Sequence, residues 1–443
     1  MRKLAYLFSL LAWAAVAETR YAVIVSIDGG AAYHLDDSTV ELPNIRALAA
    51  DGVRAASSET VFPSVTHPSH TTIITGMMPR KHGVLANELA NRASNDLLPG
   101  NSLKRSEIIL SKTIFDTAKA KGLTTAAFQW PETVEDPSID FNLISRAGPA
   151  GARGVVQNRF VEELEKDGLP LDQLVKWRRD RILPSVGDEI TTLAACQTIR
   201  KHRPNLVAVH LLETDDAQHG NGPQHYLAKA ALSDVDHEIG QIVRATKDAG
   251  VYDQTVFVIC ADHGFTSVYD EINLRPFFAE AGLESKVHFY EGGWAPFIRL
   301  LPSFDATGDQ PKLEQVFSRL MRNMHIVRIL KSADYPSIGL PTWEESDRVR
   351  GQYLIIGDAE TYFVWTPDND TSLRKRLHPA HGHGYVPSYW KMYPMLVLAG
   401  SGIKKGQTIG HVHNVDIAPT ITELLGLDRL DFDGRVLTEA LAR

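Results

Sequence analysis

The chain has 443 residues, 44% of them hydrophobic and 23% charged, a globular composition with room for one large core or two domains. Its 46 Lys and Arg are outnumbered by 54 Asp and Glu, giving a net charge of −8. With no basic excess to neutralise phosphates, binding of nucleic-acid duplexes is disfavoured, whereas a small phosphorylated substrate is not.

The N-terminus comes first in chain order. Arg2 and Lys3 precede an apolar run over 4–16, and Ala15-Val16-Ala17 offers a small-x-small cleavage site before Glu18. This predicts a signal peptide over 1–17 and an exported chain, periplasmic or secreted. The run is short for a membrane span, so no transmembrane segment is expected after cleavage; an uncleaved anchor is the alternative.

Short β-branched runs then alternate with helical patterns. Strands are predicted at 21–27, 124–129, 206–212, 255–260 and 395–399, and helices at 42–50, 111–121 and 226–247. This rhythm implies a mainly parallel central sheet sandwiched by helices. Residues 146–185, charged and punctuated by Gly and Pro, predict a helical insertion. Strand-like pieces at 295–301, 353–356 and 361–366 and a helix near 312–322 predict a smaller α+β cap over 265–380. That leaves 18–264 and 381–443 for the α/β domain. Only Cys196 and Cys260 occur, too few for a disulfide framework, and Cys260 reads as a buried small hydrophobe.

In such sheets ligands bind beyond the carboxyl ends of the strands. Asp28 follows the first strand, and Asp215 with His219 follows the strand at 206–212. Asp262 and His263 follow the run ending at Cys260, and His383 precedes the last long strand. Carboxylate and imidazole suit zinc, although a single Asp at a strand end more often caps a helix. Thr66 stands in Phe62-Pro63-Ser64-Val65-Thr66-His67-Pro68-Ser69-His70, before a helix that Pro68 opens and Gly76 closes. There it either caps the helix or faces an anion at the helix N-terminus.

This set resembles the nucleotide pyrophosphatase/phosphodiesterase family of the alkaline phosphatase superfamily. The motifs are Asp28, Phe62 to His70, Asp215 to His219, Asp262-His263-Gly264 and His383-Gly384-Tyr385, in the family's order. The resemblance spans residues 21 to about 426, and Asn414-Val415-Asp416-Ile417-Ala418-Pro419-Thr420 is similar to the superfamily's closing helix. It implies an alkaline phosphatase-like fold and hydrolysis of phosphodiester or nucleotide pyrophosphate bonds through a phospho-threonine. It further implies two Zn²⁺, one on Asp215, His219 and His383, the other on Asp28, Thr66, Asp262 and His263. Two zincs against three aspartates leave a formal charge of roughly +1, which attracts an anion. Asn87 matches the family's oxygen-binding Asn. His381 competes with His383, and the His-Gly-Tyr match favours His383. Trp130, in Trp130-Pro131-Glu132, is expected as a pocket wall. His67 and His210 stand where nucleotide-cleaving members often carry aromatic residues, so they are expected to contact substrate. No basic residue is expected beside Thr66; Arg80, Lys81 and Arg92 read as solvated. The alternatives are a phosphomonoesterase or phosphonate hydrolase and, remotely, a non-catalytic binding protein of the same fold. A sulfatase is disfavoured, since its formylglycine signature is absent.

Overall fold

The computed structural model describes residues 18–92, 96–147, 153–174, 184–290, 294–322, 325–358, 361–367 and 374–442. The predicted signal peptide lies outside them. Eight strands form the principal sheet: β1 (Tyr21–Ile27), β2 (Val53–Glu59), β3 (Thr125–Phe128), β4 (Phe141–Leu143), β5 (Leu206–Leu211), β6 (Thr255–Ala261), β7 (Leu396–Gly400) and β8 (Gln407–His413). Their spatial order is β8-β2-β7-β6-β1-β5-β3-β4, and β7 alone runs against its neighbours. The mainly parallel sheet expected from the sequence is therefore present.

The sheet is buried on both faces because its strands are apolar at consecutive positions. Along β1, Val23, Val25 and Ile27 enter one core while Ala22 and Ile24 enter the other. β6 does the same, with Phe257 and Ile259 on the first face and Val256, Val258 and Cys260 on the second. The first face is covered by α1 (Pro43–Asp51), α4 (Pro184–His202) and α6 (Tyr226–Asp248). Leu232, Val235, Ile239 and Ile242 of α6 supply the helical spacing that turns one stripe inward. The second face is covered by α2 (Thr66–Thr75), α3 (Ile114–Ala120) and α7 (Ile417–Leu424). Each fully buried aliphatic side chain contributes about 1.5–3 kcal/mol. Cys196 and Cys260 are buried and unbridged, and burial pushes the Cys196 thiol up to about 12.

Between β6 and β7 the chain builds two smaller sheets. One pairs Thr266–Asn273 with Thr361–Val364 and Arg374–Gly382. The other has four strands, ordered Val287–Tyr290, Phe297–Leu300, Tyr353–Gly357 and Ile326–Lys331. A separate cluster of Tyr290, Phe297, Tyr335 and Leu354 encloses Phe62, four residues before Thr66. The intervening segment thus anchors the loop that leads into α2. Among the described residues no helix is long and apolar enough to cross a membrane.

Candidate functional site

Strand register brings the carboxylates together. Ile27 pairs with both Ala261 and Leu211, so the next residues of β1 and β6, Asp28 and Asp262, emerge side by side. The Gly29 N–H donates to Asp262 Oδ1 at 3.1 Å, and the His263 N–H donates to the same oxygen at 2.9 Å. Gly29 has φ +71°, a conformation that favours glycine, and a Cβ there would lie 2.8 Å from Gln218 Nε2 and 3.2 Å from the Phe265 ring. Asp215 enters from the first turn of α5 (Glu213–Asn221), with His219 one turn later on the same face. Buried Asp188 accepts the N–H groups of Leu212 and Glu213, both at 2.7 Å, and so caps that helix.

Three histidines are oriented by backbone carbonyls. Nδ1 of His219 donates to the His381 C=O at 3.1 Å, and Nδ1 of His383 to the Ser64 C=O at 3.0 Å. Nδ1 of His263 donates to the Gly264 C=O at 3.0 Å. A carbonyl only accepts, so each Nδ1 carries the proton and each Nε2 turns a lone pair inward.

The resulting distances fit a cation. Zinc bonds of about 2.0–2.1 Å at the tetrahedral angle place neighbouring ligand atoms about 3.3–3.4 Å apart. His219 Nε2 lies 3.3 Å from His383 Nε2 and 3.4 Å from Asp215 Oδ2, and His383 Nε2 lies 3.5 Å from Asp215 Oδ1. In a second group, His263 Nε2 lies 3.4 Å from Asp28 Oδ1, 3.1 Å from Asp262 Oδ2 and 3.5 Å from Thr66 Oγ1. The two groups adjoin, with the His263 and His383 rings stacked at 3.6 Å. Asp28 Oδ1, Asp215 Oδ1 and Asp262 Oδ2 are buried without a hydrogen-bond donor. Unneutralised carboxylates in such positions are costly, and a divalent ion removes that cost. Burial, reinforced by Asp262 and Asp215, raises the Asp28 pKa well above the usual carboxylate range. Burial likewise raises Asp215. Burial opposes ionisation of Asp262 too, but His263 beside it prevails and draws its pKa down. Burial, with His263 and His219 adding, pushes His383 well below the usual imidazole value.

Thr66 is the first residue of α2, and the cap position belongs to Val65, whose side chain cannot cap. The Thr66 hydroxyl is therefore not spent on helix capping. Its backbone C=O accepts Nδ1–H of buried His70 at 2.8 Å, and Nδ1 of His70 lies 3.6 Å from Asp262 Oδ2. The His67 N–H donates to Asn87 Oδ1 at 3.0 Å, which leaves the Asn87 amide NH₂ for the cleft. That cleft, about 410 Å³, is lined by Asp28, Thr66, His67, Asn87, Asp215 and His219, with further polar side chains from Asn101 and Gln129.

The remaining candidates fall out differently. His383 joins Asp215 and His219, whereas His381 turns its Nδ1 to Ser267 Oγ at 2.7 Å and contributes its carbonyl. His210 reaches the cleft but is buried, held between the Gln129 C=O at 3.2 Å and Asp28 Oδ2 at 3.0 Å. It braces Asp28, and its ring centroid lies 4.1 Å from that of His70. Trp130 is fully buried with its edge against His70, so it is no pocket wall; Pro131 lines the cleft in its place. Arg80, Lys81 and Arg92 pair with Glu345, with Asp431 and Asp433, and with Asp347, away from the cleft. Two residues had no signal in the sequence. Glu132, wholly buried, binds His67 Nδ1 at 2.5 Å. Arg350 lines a neighbouring cavity with Asn87, His219 and His383, paired to Glu88 at 2.6 Å.

Comparison with known proteins finds relatives that align over most of the chain. Human ectonucleotide pyrophosphatase/phosphodiesterase family member 5 is 22% identical over 420 residues, 93% of this chain and 76% of that protein. The bis(5'-adenosyl)-triphosphatase of Xenopus laevis is 21% identical over 93% of this chain and 79% of its own length. Mouse family member 3 is longer, and the 24%-identical stretch spans 55% of this chain and 24% of that protein. A solved structure of murine family member 5, an inactive threonine-to-alanine form in complex with AMP, shares the fold. Its TM-score is 0.72 at 19% identity, covering 96% of this chain and all of that one. Residues 22–385 match the family described as type I phosphodiesterase / nucleotide pyrophosphatase. The chain is thus a hydrolase that belongs to the type I phosphodiesterase / nucleotide pyrophosphatase family.

Proposed function

We propose that this chain is a metal-dependent hydrolase of phosphodiester or nucleotide pyrophosphate bonds acting through a phospho-threonine on Thr66. The observation that carries the reading is the inward orientation of three imidazole Nε2 atoms, imposed by the His381, Ser64 and Gly264 carbonyls, beside three carboxylates that each bury an oxygen with no donor. Asp215, His219 and His383 would hold one Zn²⁺, and Asp28, Asp262, His263 and Thr66 Oγ1 a second. Bound there, the ions supply Lewis acidity that lowers the pKa of a coordinated hydroxyl and neutralises phosphoryl charge.

The chain's own residues then divide the work. Thr66 Oγ1 attacks phosphorus, forming an Oγ1–P bond as the ester or pyrophosphate oxygen departs; water later cleaves that bond and restores the hydroxyl. Asn87 donates its amide N–H, and Thr66 its backbone N–H, to a non-bridging oxygen. His70 holds the Thr66 carbonyl and so fixes the start of α2, while His210 fixes Asp28. His67, Asn101 and Gln129 offer polar contacts to the rest of the substrate. The AMP held by murine member 5 and the diadenosine substrate in the name of the amphibian relative support a nucleotide. The division into a signal peptide over 1–17, a catalytic unit from 18–264 with 381–443, and a cap over 265–380 is part of this reading, as is periplasmic or secreted location. No observation favours the phosphomonoesterase or the non-catalytic alternative.

The test is a pair of variants assayed on bis-p-nitrophenyl phosphate. Thr66→Ala should lose several orders of magnitude in kcat, and Thr66→Ser should keep a measurable fraction. A loss of about 1 kcal/mol of stability with kcat unchanged would reduce Thr66 to a helix-terminal residue.

A further inference from the structure

Away from the cleft, β2 and β8 pair in parallel at the edge of the principal sheet, with His411 opposite Ser57 and His413 opposite Glu59. Side chains alternate along a strand, so His411, His413, Ser57 and Glu59 share one face. Ser58 and Val412, between them, are buried. The outward face therefore carries two imidazoles two residues apart and a carboxylate from the adjacent strand. A nitrogen of each ring and a Glu59 oxygen all lie within 4.8 Å of one another.

Two details go beyond proximity. His411 Nε2 stands 3.4 Å from Glu59 Oε2, the separation found between ligand atoms in the catalytic groups and expected for tetrahedral zinc, about 3.3–3.4 Å. Ser57 Oγ lies 2.7 Å from His411 Nδ1, so a hydroxyl occupies the far nitrogen and Nε2 is aimed at the carboxylate. An outer hydrogen bond of this kind orients metal-binding histidines. The site also has a path inward. Ser58 Oγ donates to Asn414 Oδ1 at 2.7 Å, and Asn414 Nδ2 donates to the Ala261 C=O at 2.9 Å, next to Asp262.

We infer that Glu59, His411 and His413 form a third cation site, separate from the catalytic centre, which takes a first-row transition ion such as Zn²⁺ and staples β8 to β2. Two imidazoles and one carboxylate select such ions over Ca²⁺ and Mg²⁺, which prefer all-oxygen sites. The staple holds the strand pair next to the Asn414 bridge and stabilises the edge of the sheet. It takes no part in phosphoryl transfer.

The experiment compares the full-length wild type with the double variant His411→Ala/His413→Ala, both dialysed against low micromolar Zn²⁺. The wild type is expected to retain one more equivalent of zinc than the variant, with kcat equal in the two. Added Zn²⁺ should raise the wild-type Tm by several degrees beyond any rise in the variant, and Ca²⁺ should not. Glu59→Gln, a milder change, should weaken the extra equivalent at least tenfold. Equal zinc content and equal Tm response in all three proteins would overturn the site. An equal response to Ca²⁺ would overturn its ligand chemistry.

Discussion

Asn87 is the residue at which binding and chemistry separate most cleanly. Its Oδ1 accepts the His67 N–H at 3.0 Å and its backbone C=O accepts the Gly100 N–H at 2.9 Å, so one hydrogen bond orients the side chain and another holds its backbone before any ligand arrives. The amide NH₂ is left facing the cleft beside Thr66. Removing one preorganised donor to a developing phosphoryl charge costs about 10²–10³ in kcat, or roughly 2.7–4 kcal/mol. Asn87→Ala should show that loss, and should also leave the His67 N–H without its acceptor. Asn87→Asp keeps the acceptor but replaces the donor with a negative charge, so it should lose activity at least as severely while melting close to the wild type. The assay is steady-state hydrolysis of bis-p-nitrophenyl phosphate, with thermal unfolding on the same samples. Values of kcat/KM within threefold of the wild type for both variants would refute the donor role. A loss confined to Asn87→Ala would assign the residue to holding the loop.

Three further outcomes are expected. Chelation should abolish activity and Zn²⁺ restore it, in the His411→Ala/His413→Ala double variant as in the wild type; activity that survives a metal content near zero would exclude the metal centre. Arg350 lines the cavity beside Asn87 and His383, and Glu88 offsets its charge, so a singly charged diester should exceed p-nitrophenyl phosphate in kcat/KM by more than tenfold, about 1.4 kcal/mol. A better monoester substrate would mean that Arg350 leaves Glu88 for the substrate. His82 accepts the Val84 N–H on Nδ1 at 3.1 Å and donates from Nε2 to Thr72 Oγ1 at 3.0 Å; burial, then Arg348, pushes its pKa down to about 3. It is neutral in the fold but protonated in the unfolded chain below about 6.5, so its contribution to stability is lost as pH falls from about 6.5 toward 3. Denaturant melts at pH 7 and 5 should therefore show His82→Gln losing about 2 kcal/mol less than the wild type over that interval. Equal losses would contradict this.

The candidate ligands Asp28, Asp215, His219, Asp262 and His263 were legible because each stands at or just beyond the carboxyl end of a principal-sheet strand, where topology forces convergence; His383 was legible through the His-Gly-Tyr resemblance alone. The sequence did not reveal what aims them. The carbonyls of Ser64, Gly264 and His381 belong to every residue type, and Ser64 meets His383 across 319 positions. Glu132 reaching His67, and Arg350 entering from the segment between β6 and β7, depend on folds of separate segments in the same way. Trp130 misled because the wall was inferred from a resemblance to the family's Trp-Pro segment, yet the indole is fully buried in the second core with its edge against His70. β2 and β8 escaped notice because Val53–Glu59 and Gln407–His413 carry small and polar residues, as suits the edge strand β8 and its neighbour β2, which present Glu59, His411 and His413 on their outward face.

If the phosphoryl group passes first to Thr66 and then to water, the stereochemical course at phosphorus records both displacements. Each displacement inverts configuration, so two in sequence return the original. Hydrolysis of a nucleotide phosphorothioate ester of known configuration, in isotopically labelled water, should give product with net retention. Net inversion would mean that water attacks phosphorus directly, and would contradict the role assigned to Thr66.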